Sequence, residues 1–322
     1  MPKIVYLIAS HTNPEQVVRL ARLLSMKSSE AAVVIHHDYS KSYLDPAAFG
    51  QMPNVHIMEE VIPVKWGKFS LVEMTLHVIE WIATRIEFDW IAFISGQDYP
   101  IQPLHRIEQF LASTEYDGFV SGVALREAMP CGPTECSIAD APGTICTACW
   151  RHYYYQFYEI SHIPFLSTFI RDNKKLWKRF GRKVNNLQSF FYINDPIGIC
   201  SLSTPFNENL ECYKGSQWFT VNDKCVRYIL DFIPKNPHFT TYYKRTLLAD
   251  ESFFQTILFN AIELNILNDN KRYIKWEDSH VRSPSILRKK NFEHIISSNK
   301  HFARKFDINV DSDILDLLDT IQ

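Results

Sequence analysis

Four short apolar runs, Ile4 to Ala9, Ala32 to His37, Val55 to Glu59 and Ile91 to Ser95, are separated by segments of helical character in the amino-terminal part of the chain. Such short β-rich runs fit strands. Strands that alternate with helices imply an α/β architecture. The intervening helices carry their own signals. Asn13 stands where a cap is expected and Pro14 at a first helical position, ahead of an apolar stripe of Val17, Leu20, Ala21 and Leu24. Ser70-Leu71-Val72-Glu73 has the spacing of a capping box and predicts a helix over 71–85, and a third helix is predicted over 104–112.

Further strands are predicted at 197–202 and 218–221, and helices over 223–232 and 251–262. Between the two halves, residues 124–194 lose periodicity and gain aromatics such as Tyr153, Tyr154, Tyr155, Phe157 and Tyr158, which reads as a loop-rich insert around the sheet. No internal repeat or low-complexity linker divides the chain. The reading is one domain over 1–310 followed by a tail over 311–322.

Glycine narrows the chemistry. Only 10 of 322 residues are Gly, roughly 3% where about 7% is usual. No set of them spells a dinucleotide fingerprint or a P-loop. Any phosphate must therefore be held by something other than a glycine-rich loop. The 34 Lys and Arg balance 36 Asp and Glu, so there is no basic field for nucleic acid, and nucleic acid is not an expected partner. The first apolar run is too brief for a signal sequence and no run approaches the length of a membrane span, so a cytoplasmic protein is expected.

The seven cysteines, an odd number, fit a reducing compartment with free thiols. Cys131, Cys136, Cys146 and Cys149 nevertheless cluster with C-x4-C and C-x2-C spacing. That spacing could hold a structural zinc, but an inserted loop that merely carries thiols is the favoured reading. Residues 171–183 hold seven cations, one anion, Trp177 and Phe180. They read either as a solvated basic segment or as a peripheral contact with an anionic membrane.

Five elements carry candidate chemistry. Val64 to Ser70 leads into the predicted second helix. Ser95-Gly96-Gln97-Asp98-Tyr99-Pro100 places Asp98 at the carboxyl end of a buried strand, where open α/β sheets bind ligands; a plain turn is the simpler alternative. Gly215-Ser216-Gln217-Trp218-Phe219 sets a glycine and a hydroxyl beside an aromatic pair, suited to a sugar or to a strand start. Asp250-Glu251-Ser252 opens an apolar helix, whose dipole favours ionised carboxylates of the kind a general base requires. Last, Arg282, Arg288, Lys289, Lys290, Lys300, Arg304 and Lys305 meet a single opposing charge in their window, Glu293. A local cationic patch on a neutral protein points to a specific anion such as a diphosphate.

In order, these elements resemble the core-2/I-branching β-1,6-N-acetylglucosaminyltransferases and the related peptide O-xylosyltransferases. The resemblance runs from about Ile4 to Asp307 through Ile35-His36-His37-Asp38, Trp66-Gly67 with Ser70, Ser95 to Pro100, Gly215 to Phe219, Asp250-Glu251-Ser252, Trp276, His280-Val281-Arg282-Ser283 and Phe302 to Asp307. It implies a GT-A glycosyltransferase fold, a Rossmann-like mixed sheet flanked by helices. It implies also an inverting enzyme that moves N-acetylglucosamine from a UDP-sugar to a glycan hydroxyl, forming a β linkage.

Glu251 matches the family's general base, and Arg282 with Lys305 matches the pair that stabilises departing UDP without a metal. Asp38, Ser70 and Asp98 fall at donor-site positions, and Trp276 and Trp218 at the acceptor side. No cofactor or divalent metal is implied, and Asp311-Ser312-Asp313 reads as a helix cap. UDP-xylose is the rival donor, and a catalytically silent sugar-nucleotide or glycan-binding protein the rival class. A lipid-linked glycan acceptor at the inner membrane face would give residues 171–183 a purpose.

Overall fold

In the computed structural model, the structure describes residues 1–28, 30–125, 155–158, 191–192, 197–201, 203–276 and 283–322. The four-cysteine cluster, residues 171–183 and Arg282 lie outside them. The first strand, β1 (Ile4–Ser10), is flanked in parallel by β2 (Ala32–His37) and β4 (Trp90–Ser95), with β3 (Val55–Ile57) parallel beyond β2. On the other side of β4, β12 (Thr220–Asn222) runs antiparallel, followed by β6 (Gly118–Val120) and β13 (Ile266–Asn268). The seven-stranded order is β13-β6-β12-β4-β1-β2-β3. A mixed sheet is what the sequence led us to expect, with the antiparallel β12 wedged into its centre.

Strand alternation divides the core into two layers. Ile4, Tyr6, Ile8, Val33, Ile35, Ala92 and Ile94 face a cluster completed by α1 (Pro14–Lys27), α3 (Leu104–Ser113) and the last helix. Val5, Leu7, Val34, Ile91 and Phe93 face the other, built by α2 (Ser70–Arg85), α4 (Asp223–Lys235), α5 (Pro237–Tyr243) and α6 (Phe253–Phe259). Runs that are apolar at every position are thus explained by helices on both faces.

A second sheet pairs β14 (Arg272–Ile274), β15 (Phe302–Arg304) and β5 (Asp98–Pro100), and β7 (Gly122–Leu125) pairs with β11 (Cys212–Gly215). Within the stretch read as loops, β8 (Tyr155–Tyr158) and β9 (Phe191–Tyr192) are strands that pair antiparallel with β10 (Ile197–Cys200), which falls in the strand predicted at 197–202.

Several local expectations are corrected. Asn13 adopts a left-handed conformation with φ 49° and makes no side-chain cap; its amide instead donates to Asp307 Oδ1 at 2.9 Å. Ser70 is the first residue of α2 rather than its cap. The helix expected over 251–262 splits into a 3-10 turn, Ala249–Glu251, and α6. Residues 311–322, read as a tail, follow the short α7 (Phe292–Ile296) and carry α8 (Asp313–Thr320), whose Ile314, Leu315 and Leu318 are fully buried. Asp311 Oδ1 accepts the Ile314 amide at 3.3 Å, so this part of the D-x-D does cap the helix. Cys212 and Cys225 are buried free thiols, and burial pushes each up to about 12. Among the described residues no helix is long and apolar enough to cross a membrane.

Candidate functional site

Parallel β1, β2 and β4 end together, at Ser10, His37 and Ser95, because Ser10 pairs with His37 and Ala9 with Ser95. The segments that follow β2, β3 and β4 hold Asp38, Ser70 and Asp98 in turn. Asp38 is 4% exposed. Its amide donates to Ser10 O at 2.8 Å, Oδ1 accepts from the Ser40 hydroxyl at 2.6 Å, and Oδ2 accepts from the Val64 amide at 3.2 Å. Burial alone would raise its pKa. The Ser40 hydroxyl, the Val64 and Ser40 amides and Lys41 more than offset that, so the carboxyl lies below its ordinary range and stays ionised.

The loop that reaches Asp38 through Val64 continues to Ser70, whose hydroxyl accepts the Lys65 amide at 2.9 Å. Gly67 takes φ +74°, a conformation that favours glycine, and its carbonyl accepts the Leu248 amide at 2.9 Å. This bond ties the loop to the 3-10 turn ending in Glu251. Glu251 is half-buried, and its own amide donates to Leu248 O at 3.1 Å. One turn on, the fully buried Gln255 donates from Nε2 to Ser216 O at 2.5 Å and to Asp250 O at 3.3 Å. The carboxylate segment is therefore bound to the Gly215-to-Phe219 segment.

Trp218, expected on the acceptor side, is 6% exposed. It packs on Phe93 at 5.1 Å between centroids, and the Arg304 guanidinium covers it at 4.3 Å. Trp218 thus packs between Phe93 and the Arg304 guanidinium. Arg304 lies opposite Asp98 in the β15–β5 pairing, with Nε 3.2 Å from Asp98 Oδ1. Asp98 is 1% exposed, and its Oδ2 accepts the Ser95 amide, closing the rim back to β4. Burial lowers the Arg304 pKa while Asp98 opposes the shift. Arg272, also buried beside this pair, donates to the carbonyls of Asn270, Phe93 and Phe219 and to the Thr220 hydroxyl. Burial holds it down to about 10, against the pull of Asp98.

The segments of Asp38, Ser70, Glu251, Trp218 and Asp98 are thus linked in turn, through Val64, Gly67 with Leu248, Gln255 with Ser216, and Arg304. The cationic patch does not survive as a set of free charges. Lys300 pairs with Asp269 at 2.9 Å, Lys289 with Asp313 at 3.3 Å and Arg304 with Asp98. Their partners come from outside the window in which the sequence showed a single acid. Lys305 is half-buried, its carbonyl accepts the Leu287 amide at 2.8 Å, and its ammonium makes no ion pair among the described residues. Trp276 is 56% exposed, two residues past Ile274, the β14 partner of Arg304.

Sequence reasoning missed Gln16. Fully buried, it donates to Gly96 O at 2.8 Å and Phe306 O at 3.3 Å and accepts from the Ile308 amide at 2.7 Å. It stitches α1 to the β4–β5 loop and to the strand that precedes Asp307. Its position four residues before Leu20, on the apolar stripe of α1, was the available signal.

The family model of the core-2/I-branching enzymes matches residues 4–124 and 154–298. Among curated proteins, the Arabidopsis thaliana Beta-glucuronosyltransferase GlcAT14A is 22% identical over 92% of this chain and 56% of its own length. Xylosyltransferase 1 of Rattus norvegicus is 24% identical over 89% of this chain and 31% of its own. The Mus musculus Xylosyltransferase 1 is 31% identical over 89% and 27% respectively. The chain therefore spans about half of the plant relative and under a third of the animal ones.

Proposed function

This chain belongs to the core-2/I-branching enzyme family, and from that premise we propose that it transfers a sugar from a UDP-sugar to a glycan hydroxyl with inversion at the anomeric carbon. One observation supports the reading: the turn that ends in Glu251 is tied through Leu248 to Gly67, in the loop that reaches Asp38 at the parallel edge of the sheet, and through Gln255 to the segment of Trp218, on which Arg304 of the Asp98–Arg304 pair stacks. Open α/β sheets bind ligands at this edge.

In this reading Glu251 takes the proton from the acceptor hydroxyl as its oxygen attacks the anomeric carbon from the face opposite UDP. The bond to the diphosphate oxygen breaks, and the charge that develops on UDP is met by Lys305 together with Arg282. One carboxylate suffices, since UDP leaves without protonation when cations stabilise it. Asp38, Ser70 and Asp98 support the donor, and Trp276 offers its exposed ring to the acceptor.

N-acetylglucosamine is the donor sugar that the resemblance implies. Xylose and glucuronic acid stand beside it, because the curated relatives carry those sugars in their names. An acceptor on a lipid carrier would bring residues 171–183 against the inner membrane face, which flotation with anionic vesicles tests directly. The decisive experiment is UDP release from UDP-N-acetylglucosamine, UDP-xylose and UDP-glucuronic acid, with and without EDTA. Turnover of one donor that survives EDTA is expected. Full dependence on manganese would overturn the metal-free step, and silence across the panel with measurable UDP affinity would favour a silent binder.

A further inference from the structure

The 3-10 turn that carries Glu251 has irregular backbone at both ends. Leu248 precedes it in the left-handed region, at φ 56° and ψ 47°, and Ser252 leaves it at φ −140° and ψ −31°. A branched side chain at positive φ persists only where its surroundings hold it. Gly67 O holds the first end by accepting the Leu248 amide.

The second end is held by a cluster of buried hydroxyls. Ser252 Oγ donates to Tyr213 O at 2.6 Å. Tyr243 OH lies 2.7 Å from Ser252 Oγ and 3.1 Å from Thr256 Oγ1. The Tyr213 amide donates to Thr256 Oγ1 at 3.0 Å. Tyr243 and Ser252 are fully buried, as is Thr256, so each hydroxyl proton needs a partner within the protein.

The Ser252 proton goes to Tyr213 O, which leaves Ser252 Oγ to accept from Tyr243, at the shorter of that ring's two hydroxyl contacts. Thr256 oxygen accepts the Tyr213 N–H, and its own proton has two acceptors in reach, the Tyr243 oxygen at 3.1 Å and Tyr213 O at 3.3 Å. Cys212 Sγ flanks the group, 3.6 Å from Ser252 Oγ and 3.8 Å from Tyr243 OH. The hydroxyls form a circuit between Tyr213 N–H and Tyr213 C=O through Thr256, Tyr243 and Ser252, and one β11 residue is both start and end. Cooperative strengthening is expected of such a ring, and loss of one member orphans its neighbours.

We propose that Tyr243 is a positioning residue: through Ser252 it fixes the turn that presents Glu251, with no contact of its own to the reacting atoms. This rests on the reading of Glu251 as base. The test compares Tyr243→Phe, Thr256→Val and Thr256→Ser with wild type, by hydrogen exchange of the 248–256 backbone, calorimetric UDP affinity, and kcat on whichever UDP-sugar the donor panel identifies.

The two variants that lose a hydroxyl are expected to exchange about tenfold or more faster in 248–256 while β1 stays protected. Their kcat falls by about tenfold or more with UDP affinity unchanged. Thr256→Ser, which keeps the circuit, behaves as wild type in each measurement. Wild-type exchange in Tyr243→Phe, or equal behaviour of Thr256→Val and Thr256→Ser, overturns the proposal. A Glu251→Gln enzyme with wild-type turnover would instead overturn the assignment of the base, leaving the exchange result to decide whether the circuit holds the turn.

Discussion

Asp98→Asn keeps the shape of a side chain that faces two buried guanidinium groups and removes its charge. Asp98 is 1% exposed and Arg304 stacks on Trp218 at 4.3 Å, so neither ion can turn to water without unpacking the wall between β5 and β15. The asparagine oxygen can still accept the Ser95 amide, and the loss is therefore electrostatic. Arg304 is left buried without its counter-ion, and Arg272 loses the carboxylate that opposes its depression to about 10.

Breaking a buried pair by removing one partner costs roughly 3–5 kcal/mol. A 322-residue chain has an unfolding entropy of about 0.7 kcal/mol/K, so the thermal midpoint at pH 7 should fall by roughly 4–7 °C in scanning calorimetry. Asp98→Asn combined with Arg304→Met, which keeps an apolar stem on Trp218 and removes the stranded charge, should recover at least half of the loss. A shift below about 1 °C in the single variant, or a double variant whose loss is the sum of the singles, would refute a coupled buried pair.

Gln16→Leu orphans Gly96 O, Phe306 O and the Ile308 amide together; at about 1–3 kcal/mol per buried group it should lower the melting point and, by loosening the segment next to Lys305, weaken UDP binding measured by calorimetry. His36 Nε2 accepts the Ile62 amide, and burial holds its pKa down to about 4 from 6.5. Its contribution is complete above pH 6.5 and is lost as the pH falls toward 4, by about 3 kcal/mol over that range. His36→Gln, which can still accept the amide, should flatten the pH dependence of the melting point in this window. Gly215→Ala would set a Cβ 1.7 Å from Ser121 O; β11 and β7 would be forced apart, and a variant that melts like wild type would contradict their packing.

The parts of the fold that could be read in the sequence are those fixed by local pattern. Ile4 to Ala9, Ala32 to His37 and Ile91 to Ser95 are strands because both faces are covered, and α1 starts at Pro14 because its stripe and its first residue agree. What could not be read is set by partners distant in the chain. β5, β14 and β15 are three residues each, too short to show a period. The charges of the late cationic segment look unopposed only because Asp98, Asp269 and Asp313 are brought to them by folding. Ser70-Leu71-Val72-Glu73 has the spacing of a capping box, yet the Ser70 hydroxyl is taken by the Lys65 amide of the preceding loop.

The site divides in the same way. Residue types and order marked Asp38, Asp98 and Glu251, whereas the bonds that join them run through Gln255, Leu248 and Gly67. Those bonds are mostly to main chain, which residue types do not reveal. An exposed tryptophan and a buried one also read alike, so the sequence does not separate Trp276 from Trp218.

The most direct measurement is turnover of Glu251→Gln beside its UDP affinity, made on the donor that the wild-type protein consumes. If Glu251 is the base, kcat falls by about 10²–10⁴-fold while calorimetric UDP affinity is unchanged, because the amide keeps the shape of the side chain and removes only its ability to take a proton. Turnover of Glu251→Gln equal to wild type would contradict the account at its centre.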